Sequence, residues 1–118
     1  PLNSQLTELG AKFLCSAETS PYYRMFILPP TESLPIRPGL VRCSEETVSL
    51  PGELWRMPIK NFGAFMLKIR FPLGISQIKL KNGETEYGFC CDHSGVGNCK
   101  EITHMGGWRQ YLGEKAID

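Results

Sequence analysis

Residues 52–88 read GELWRMPIKNFGAFMLKIRFPLGISQIKLKNGETEYG, and this stretch contains the signals that decide the fold. Its first part, 52–57, is predicted to be a strand. Pro58 then predicts a helix through residue 69, because Pro fits the first helical turn and the apolar residues after it recur on one helical face. The Asn82-Gly83 pair predicts a hairpin between two further strands, since both residue types accept the backbone angles of a tight turn.

The second informative stretch, EITHMGGWRQYL, occupies residues 101–112. Gly106 and Gly107 predict a tight turn, because glycine takes backbone angles that other residues disfavour. A final helix is predicted to follow this turn. We expect Trp108 to anchor that helix in the core and Gly113 to end it.

The remaining segments are mostly strand-like. Residues 11–18 and 22–28 are rich in strand formers, and the Thr-Ser-Pro between them predicts a turn, so we expect these two strands to pair as a hairpin. Residues 29–39 contain several prolines and are predicted to form a surface connector, and residues 40–43 a short strand. Strands predominate over helices, which predicts an α+β fold with a strongly curved, barrel-like sheet.

Length and composition indicate one soluble globular domain that spans residues 1–118. Apolar residues make up 42% of the chain and charged residues 21%, which are ordinary values for a folded protein. The 13 basic and 12 acidic side chains give a net charge of +1, so neither nucleic acid nor an anionic membrane is an expected partner. No apolar run approaches the roughly 18 residues that a membrane span needs.

The cysteines predict a reducing compartment. They are Cys15, Cys43, Cys90, Cys91 and Cys99, and an odd count with an adjacent pair fits poorly with a disulfide framework. Zinc is the alternative, because His93 lies among the last three cysteines and all four side chains are of ligand type. However, the sequence has no C-x-x-C pair and no second ligand pair at the usual distance. We therefore expect free thiols and no metal.

Six short segments, in order along the chain, together resemble the C-terminal domain of allophanate hydrolase. They are PLNSQL at 1–6, TSPYYR at 19–24, PGLVR at 38–42, ELWRMP at 53–58, FPLGI at 71–75 and EITHMGGWRQYL at 101–112. The resemblance covers nearly the whole chain, and six ordered motifs are more specific than any one of them. It implies a fold similar to that of gamma-glutamyl cyclotransferases, a mixed α/β barrel, in agreement with the strand-rich pattern.

The resemblance also implies an activity and partners. In the family, the domain follows an amidase domain that releases ammonia from allophanate, and it is held to decarboxylate the product, N-carboxycarbamate, in urea degradation. The substrate is a small dianion, and no metal, nucleotide or organic cofactor is required. The expected partners are the amidase domain of the same protein and, where the enzymes are fused into a urea amidolyase, a urea carboxylase. The expected compartment is the cytoplasm.

The resemblance places the substrate against a loop that corresponds to residues 1–6. We therefore expect Leu2, Asn3 and Gln5 to donate amide hydrogens to the substrate carboxylates. The alternatives are a helix cap at Asn3 and a solvated side chain at Gln5. In the family pattern, a glycine-rich strand with a histidine precedes this loop and is tied to the decarboxylation. The chain opens on Pro1 without Met, so we expect it to be a processed form or a piece of a longer protein, with the acid and the first strand upstream.

Further candidates for the site are Tyr23, Arg24, Glu53, His104 and Arg109. Arg24 can bind a carboxylate with two donors from a strand that it shares with Tyr23. Glu53 and His104 are the candidate catalytic groups, and Arg109 is a candidate substrate-binding residue. Each also has a structural interpretation: a sheet-face residue at 23 or 24, a paired surface carboxylate at 53, a turn residue at 104, and a side chain that covers apolar surface at 109.

Two other classes of function remain open at this point. One is an enzyme of the same fold that cyclises gamma-glutamyl amines, which needs an acidic base, and Glu53 is the candidate for it. The other is a non-catalytic module that docks on an amidase. An amidase signature and a glycine-histidine strand upstream of Pro1 would favour the decarboxylating enzyme.

Overall fold

A computed structural model of the chain describes residues 6–32 and 35–117, with side chains as far as residue 113. The described strands are β1 Lys12–Glu18, β2 Tyr23–Leu28, β3 Arg37–Arg42, β4 Pro51–Arg56, β5 Leu73–Lys79 and β6 Thr85–Cys91. The described helices are α1 Ile59–Met66 and α2 Trp108–Ile117, and a 3-10 turn covers His93–Gly95. Strands and separate helices in one small domain confirm the α+β class.

The strands pair as three antiparallel ladders, β1 with β4, β2 with β3, and β5 with β6. The predicted hairpin of β1 with β2 is therefore wrong. Thr-Ser-Pro lacks the residues that a two-residue hairpin turn favours, and it redirects the chain instead. The Thr19 N–H donates to the Leu50 carbonyl and the Ser20 N–H to the Lys79 carbonyl, so the end of β1 is tied to two other segments before β2 begins.

Two single bridges add to the ladders. The bridge between Thr19 and Leu80 joins the residues that follow β1 and β5, and the bridge between Phe26 and Glu101 joins β2 to the segment before α2. Strand β3 also lies against β6. Across residues 6–32 and 35–117 these connections do not close the ladders into a ring. The predicted barrel and its strong curvature therefore remain predictions.

The hairpin and the helix predicted within residues 52–88 are both present. Strands β5 and β6 meet at the turn that contains Gly83, whose φ is +93°. Helix α1 directly follows Pro58, as predicted, but it ends at Met66 rather than at residue 69. The apolar face of α1 is only partly buried, because Phe65 is buried whereas Ile59 is 92% exposed and Met66 is also exposed.

The paired glycines also behave as predicted, since φ is +81° at Gly106 and +102° at Gly107. Helix α2 begins directly after them. The predicted stop at Gly113 is wrong, because α2 continues to Ile117. Glycine ends a helix by taking a left-handed conformation, and Gly113 does not take it; inside a helix glycine costs only about 1 kcal/mol relative to alanine. Trp108 is half-buried against the core and stacks on Tyr111.

The connector predicted for residues 29–39 ends three residues too late, because β3 already begins at Arg37. Pro38 is the second residue of β3 and lies opposite Ile27. Near a strand end, proline is tolerated because few ladder hydrogen bonds need its missing N–H. Gly39 follows at a crowded position, where a Cβ would lie 2.9 Å from Leu28 Cδ2.

The core contains three clusters of buried side chains. The first and largest joins β2, β5 and α2, and its buried members are Tyr23, Met25, Leu50, Ile78, Leu80, Ile102 and Tyr111. The second lies between β3 and β6 (Leu28, Val41, Cys91 and Val96), and the third lies under α1 (Leu6, Ala11 and Phe65). No helix within the described part of the chain is long and apolar enough to cross a membrane.

Candidate functional site

Two of the predicted site residues meet directly. Glu53 on β4 accepts a hydrogen bond from Arg109 on α2, with 2.7 Å between Oε2 and Nη2. Gly107 makes this approach possible, because a Cβ there would lie 2.4 Å from the Cγ of Pro51, the first residue of β4. The missing side chain lets the turn before α2 rest on the start of β4. The first turn of α2 therefore brings Arg109 to Glu53.

A tryptophan completes this site. Trp55 Nε1 donates to the other carboxylate oxygen of Glu53 at 3.3 Å, and the Phe13 ring of β1 packs edge-on against Trp55, with ring centroids 5.7 Å apart. Trp55 was not singled out from the sequence. The signal was available, because residues two apart on a strand share a face and Trp55 is two residues after Glu53.

The arrangement leaves part of the Arg109 guanidinium available to a ligand. Arginine has five N–H donors, and the contact with Glu53 uses one of its terminal nitrogens. The Arg109 side chain is 78% exposed, whereas that of Glu53 is 27% exposed. The geometry is therefore a positioned guanidinium at the surface, which is suited to binding a carboxylate.

His104 lies in the turn that leads to α2, and its side chain is exposed. The preceding residue, Thr103, is fully buried and fixes the turn. Its hydroxyl donates to Glu101 at 2.6 Å and accepts from the Met25 N–H at 3.1 Å. Among the described residues, the His104 ring has no hydrogen-bond partner, so it is open to solvent or to a ligand.

Arg24 is already occupied by carboxylates. Its terminal nitrogens lie 3.1 Å from Glu45 and 3.3 Å from Glu101. A hydrogen bond with Cys43, followed by the charge of Glu101, raises the pKa of Arg24. The residue thus joins β2 to two other segments, and a substrate carboxylate would have to compete with the carboxylates of the protein.

Tyr23 lies in the core rather than at the surface. It is 1% exposed, and its hydroxyl accepts a hydrogen bond from the Lys79 N–H at 2.9 Å. In the described part of the chain, neither Tyr23 nor Arg24 contacts the pair of Glu53 and Arg109. The structure therefore separates the predicted site residues into different groups.

The predicted loop residues Leu2, Asn3 and Gln5 lie outside the described residues. The first described residue after them, Leu6, is buried with Ala11 and Phe65 below α1.

The cysteine and histidine side chains weighed for zinc are dispersed. All five cysteines are free thiols, and within the described ranges no three His, Cys, Asp or Glu side chains come together as a group that can hold a metal ion. His93 belongs to the 3-10 turn that Asp92 caps, whereas Cys91 packs in the second core cluster.

Comparison with known proteins gives the class of this domain. A family model described as the allophanate hydrolase C-terminal domain matches residues 1–113. The chain belongs to this family, as the motifs of the sequence indicate.

Individual relatives extend the comparison. The chain is 36% identical over 115 residues to the urea amidolyase of Lachancea kluyveri, and it spans 6% of the length of that curated relative. It superposes on Kluyveromyces lactis allophanate hydrolase with a TM-score of 0.90 and 30% identity, covering all of this chain and 19% of that one. A uropathogenic Escherichia coli-specific protein has a TM-score of 0.85 at 27% identity, and 85% of its own chain is covered.

Proposed function

We propose that this chain is the decarboxylating domain of an allophanate hydrolase, which acts on N-carboxycarbamate supplied by an amidase domain. The observation that carries the proposal is the contact between Glu53 and Arg109 in a chain that belongs to the family. A positioned guanidinium with free donors suits a small dianion. We also propose that the three ladders belong to the barrel that the resemblance implies.

The reaction removes one carboxylate from nitrogen. The C–N bond of one carboxylate breaks, its electron pair stays on nitrogen, and that nitrogen takes up one proton. N-carboxycarbamate and a proton thus give carbon dioxide and carbamate. The protein has to bind the carboxylate that remains and deliver the proton as the bond breaks.

We assign binding of the remaining carboxylate to Arg109. Glu53 is a positioning residue in this proposal, because its carboxylate holds the guanidinium from the side of β4. His104 is the described side chain that we assign to proton delivery, since its ring is exposed and unpaired among the described residues and histidine is suited to proton transfer near neutral pH. Asn3 and Gln5 are assigned as further donors to the carboxylate that remains.

Substitution of Arg109 tests the proposal. The assay follows carbon dioxide release from N-carboxycarbamate made in place by an amidase domain acting on allophanate. The protein is a form of the chain extended upstream by its natural sequence. We expect Arg109→Ala to slow the step by about tenfold or more, because a hydrogen bond to a charged group contributes about 1.5–3 kcal/mol. The matched control is Arg56→Ala, which removes an exposed arginine of β4 and is expected to leave the rate unchanged.

The same assay tests the other assigned residues one at a time. Glu53→Gln keeps the shape but removes the charge that holds Arg109, so we expect KM to rise more than kcat falls. Asn3→Ala and Gln5→Ala are each expected to slow the step by about tenfold. If these two leave it unchanged while His104→Ala abolishes it, the assignment of the loop is wrong. Turnover of a gamma-glutamyl amine instead of N-carboxycarbamate would favour the cyclising enzyme.

We also propose that the amidase domain of the same protein covers the apolar face of α1. Ile59, Phe62 and Met66 are exposed on this helix, and Leu67 follows it with its side chain exposed. Exposed apolar patches of this kind are typical of protein interfaces. The Kluyveromyces lactis relative contains much more chain than the matched part, which supplies an occupant for such a face.

We also propose a cellular compartment and a further partner for the enzyme. Free thiols at all five cysteines are consistent with a reducing compartment, so we propose the cytoplasm. A urea carboxylase is a further proposed partner, because the matched relative from Lachancea kluyveri is a urea amidolyase. A docking module without catalysis would bind the amidase domain through α1 and leave carbon dioxide release at the spontaneous rate.

A further inference from the structure

A groove opens where the ends of several strands meet, and its charged side chains are all basic. The groove is lined by Ser20, Tyr22, Arg42, Cys43, Ser44 and Lys79. Its volume of about 590 Å³ is within the range of small-molecule sites. None of these residues belongs to the group of Glu53, Trp55 and Arg109.

Backbone hydrogen bonds fix the walls of the groove. The Ser20 N–H donates to the Lys79 carbonyl at 2.9 Å, which ties the end of β1 to the end of β5. The Cys43 N–H donates to the Tyr22 carbonyl at 2.9 Å, which ties the end of β3 to the start of β2. Hydrogen bonds between strand ends therefore position the backbone from which these side chains project.

The charges in the groove have no counter-ion in the part of the chain that the structure describes. Within the described residues neither Arg42 nor Lys79 makes an ion pair. Glu45, two residues after Cys43, is paired with Arg24 at 3.1 Å. Two like charges on one groove repel each other, and an anion between them would relieve that repulsion.

Ser20 adds a hydroxyl to the lining of the groove. Ser20 is 9% exposed, so more than nine-tenths of it is buried, and it lines the groove. Its hydroxyl has no hydrogen-bond partner among the described residues. The hydroxyl is therefore available to donate to a ligand in the groove.

We propose that this groove binds a small oxyanion with at least two acidic oxygens, such as inorganic phosphate or a short dicarboxylate. Arg42 can bind two oxygens side by side, Lys79 adds a point charge, and the hydroxyls of Ser20 and Ser44 donate to the oxygens that remain. The site is independent of the proposed decarboxylation, because it uses other residues on other strand ends.

Nuclear magnetic resonance titration of the 118-residue chain tests the proposal. Phosphate and malonate are added separately at constant ionic strength, with chloride as the balancing anion. We expect saturable shifts of the backbone amides at Ser20, Cys43 and Ser44 with at least one of the two probes. The probe that saturates identifies the class of ligand, phosphate or dicarboxylate.

Substitutions of the two basic side chains then test whether each one binds the anion. Arg42→Ala and Lys79→Ala are each expected to weaken binding about tenfold, because each removes a charged hydrogen-bond donor. The matched controls are Arg56→Ala and Lys60→Ala, which remove exposed cations elsewhere and are expected to leave affinity unchanged.

The proposal is overturned if neither probe gives saturable shifts at these amides, or if all four variants weaken binding equally. The shift map of the unmodified chain decides the question by itself should a groove variant fail to fold. Shifts confined to Glu53 and Arg109 would support the proposed decarboxylation site and contradict the groove.

Discussion

At the scale of single residues, Gly107 decides whether the turn before α2 can rest on β4. Its φ is +102°, and a Cβ would collide with Pro51 at 2.4 Å. We expect Gly107→Ala to lower the free energy of unfolding by about 2 kcal/mol or more, because it adds backbone strain and a steric clash. Urea unfolding measures the difference.

Gly113 provides the matched control for this substitution. It lies within α2, and a Cβ there would meet no atom within 4 Å. Gly113→Ala is expected to raise the free energy of unfolding by about 0.5–1 kcal/mol, because alanine loses less entropy in a helix. Equal stability of the two variants would show that the contact of Gly107 with Pro51 does not constrain the fold.

The cysteines give a second test at this scale. Burial raises the pKa of the Cys90 and Cys91 thiols, so the folded protein holds their protons more tightly than the unfolded chain does. The free energy of unfolding should therefore fall as the pH rises above the ordinary thiol value of about 8.5. Urea unfolding from pH 7 to 10 measures this trend.

Alkylation followed by mass spectrometry tests the same thiols directly. At neutral pH we expect iodoacetamide to modify the exposed Cys15 first and the buried Cys91 last. After denaturation without reductant, all five thiols should react. Fewer than five, or one stoichiometric zinc ion, would contradict the interpretation of free thiols in a reducing compartment.

At the scale of elements, local sequence signals predicted single helices and turns, but they did not predict which strands pair over long distances. Pro58 and Asn82-Gly83 act on neighbouring residues, so they predicted α1 and the hairpin of β5 and β6. The pairing of β1 with β4 joins segments that are far apart in sequence, and strand propensity does not encode such a partner. The continuation of α2 beyond Gly113 was missed because the glycine stop depends on a conformation that Gly113 does not take.

Helix α1 gives a prediction at this scale. Phe65 is buried and packs edge-on against Phe89, whereas Ile59 is almost fully exposed. We expect Phe65→Ala to lower the free energy of unfolding by about 3–5 kcal/mol, because it leaves a cavity, and Ile59→Ala to change it by less than about 0.5 kcal/mol. Thermal or urea unfolding of the two variants measures this contrast.

Ile59 also tests the proposed contact with the amidase domain. Replacing it with lysine places a charge on the apolar face of α1 without disturbing the core. We expect Ile59→Lys to weaken the association of the chain with the amidase domain while its stability stays unchanged. Equal association of the unmodified chain and the variant would place the interface elsewhere.

At the scale of the whole molecule, the candidate site is a product of long-range packing. Glu53 and Arg109 were separate candidates in the sequence analysis, which did not predict that β4 and α2 would bring them together. Trp55 was overlooked although the signal was local, because it lies two residues after Glu53 on the same strand. Tyr23 was expected near the pocket because strand position was predictable, whereas the face that the core would cover was not.

The rate of carbon dioxide release from N-carboxycarbamate shows whether this domain decarboxylates. An amidase domain generates the substrate from allophanate, and release is followed with and without the upstream-extended chain. We expect the extended chain to raise the rate above the spontaneous one, in proportion to its concentration. A rate equal to the spontaneous one at every concentration, with the extended chain shown to be folded by circular dichroism, would contradict decarboxylation by this domain.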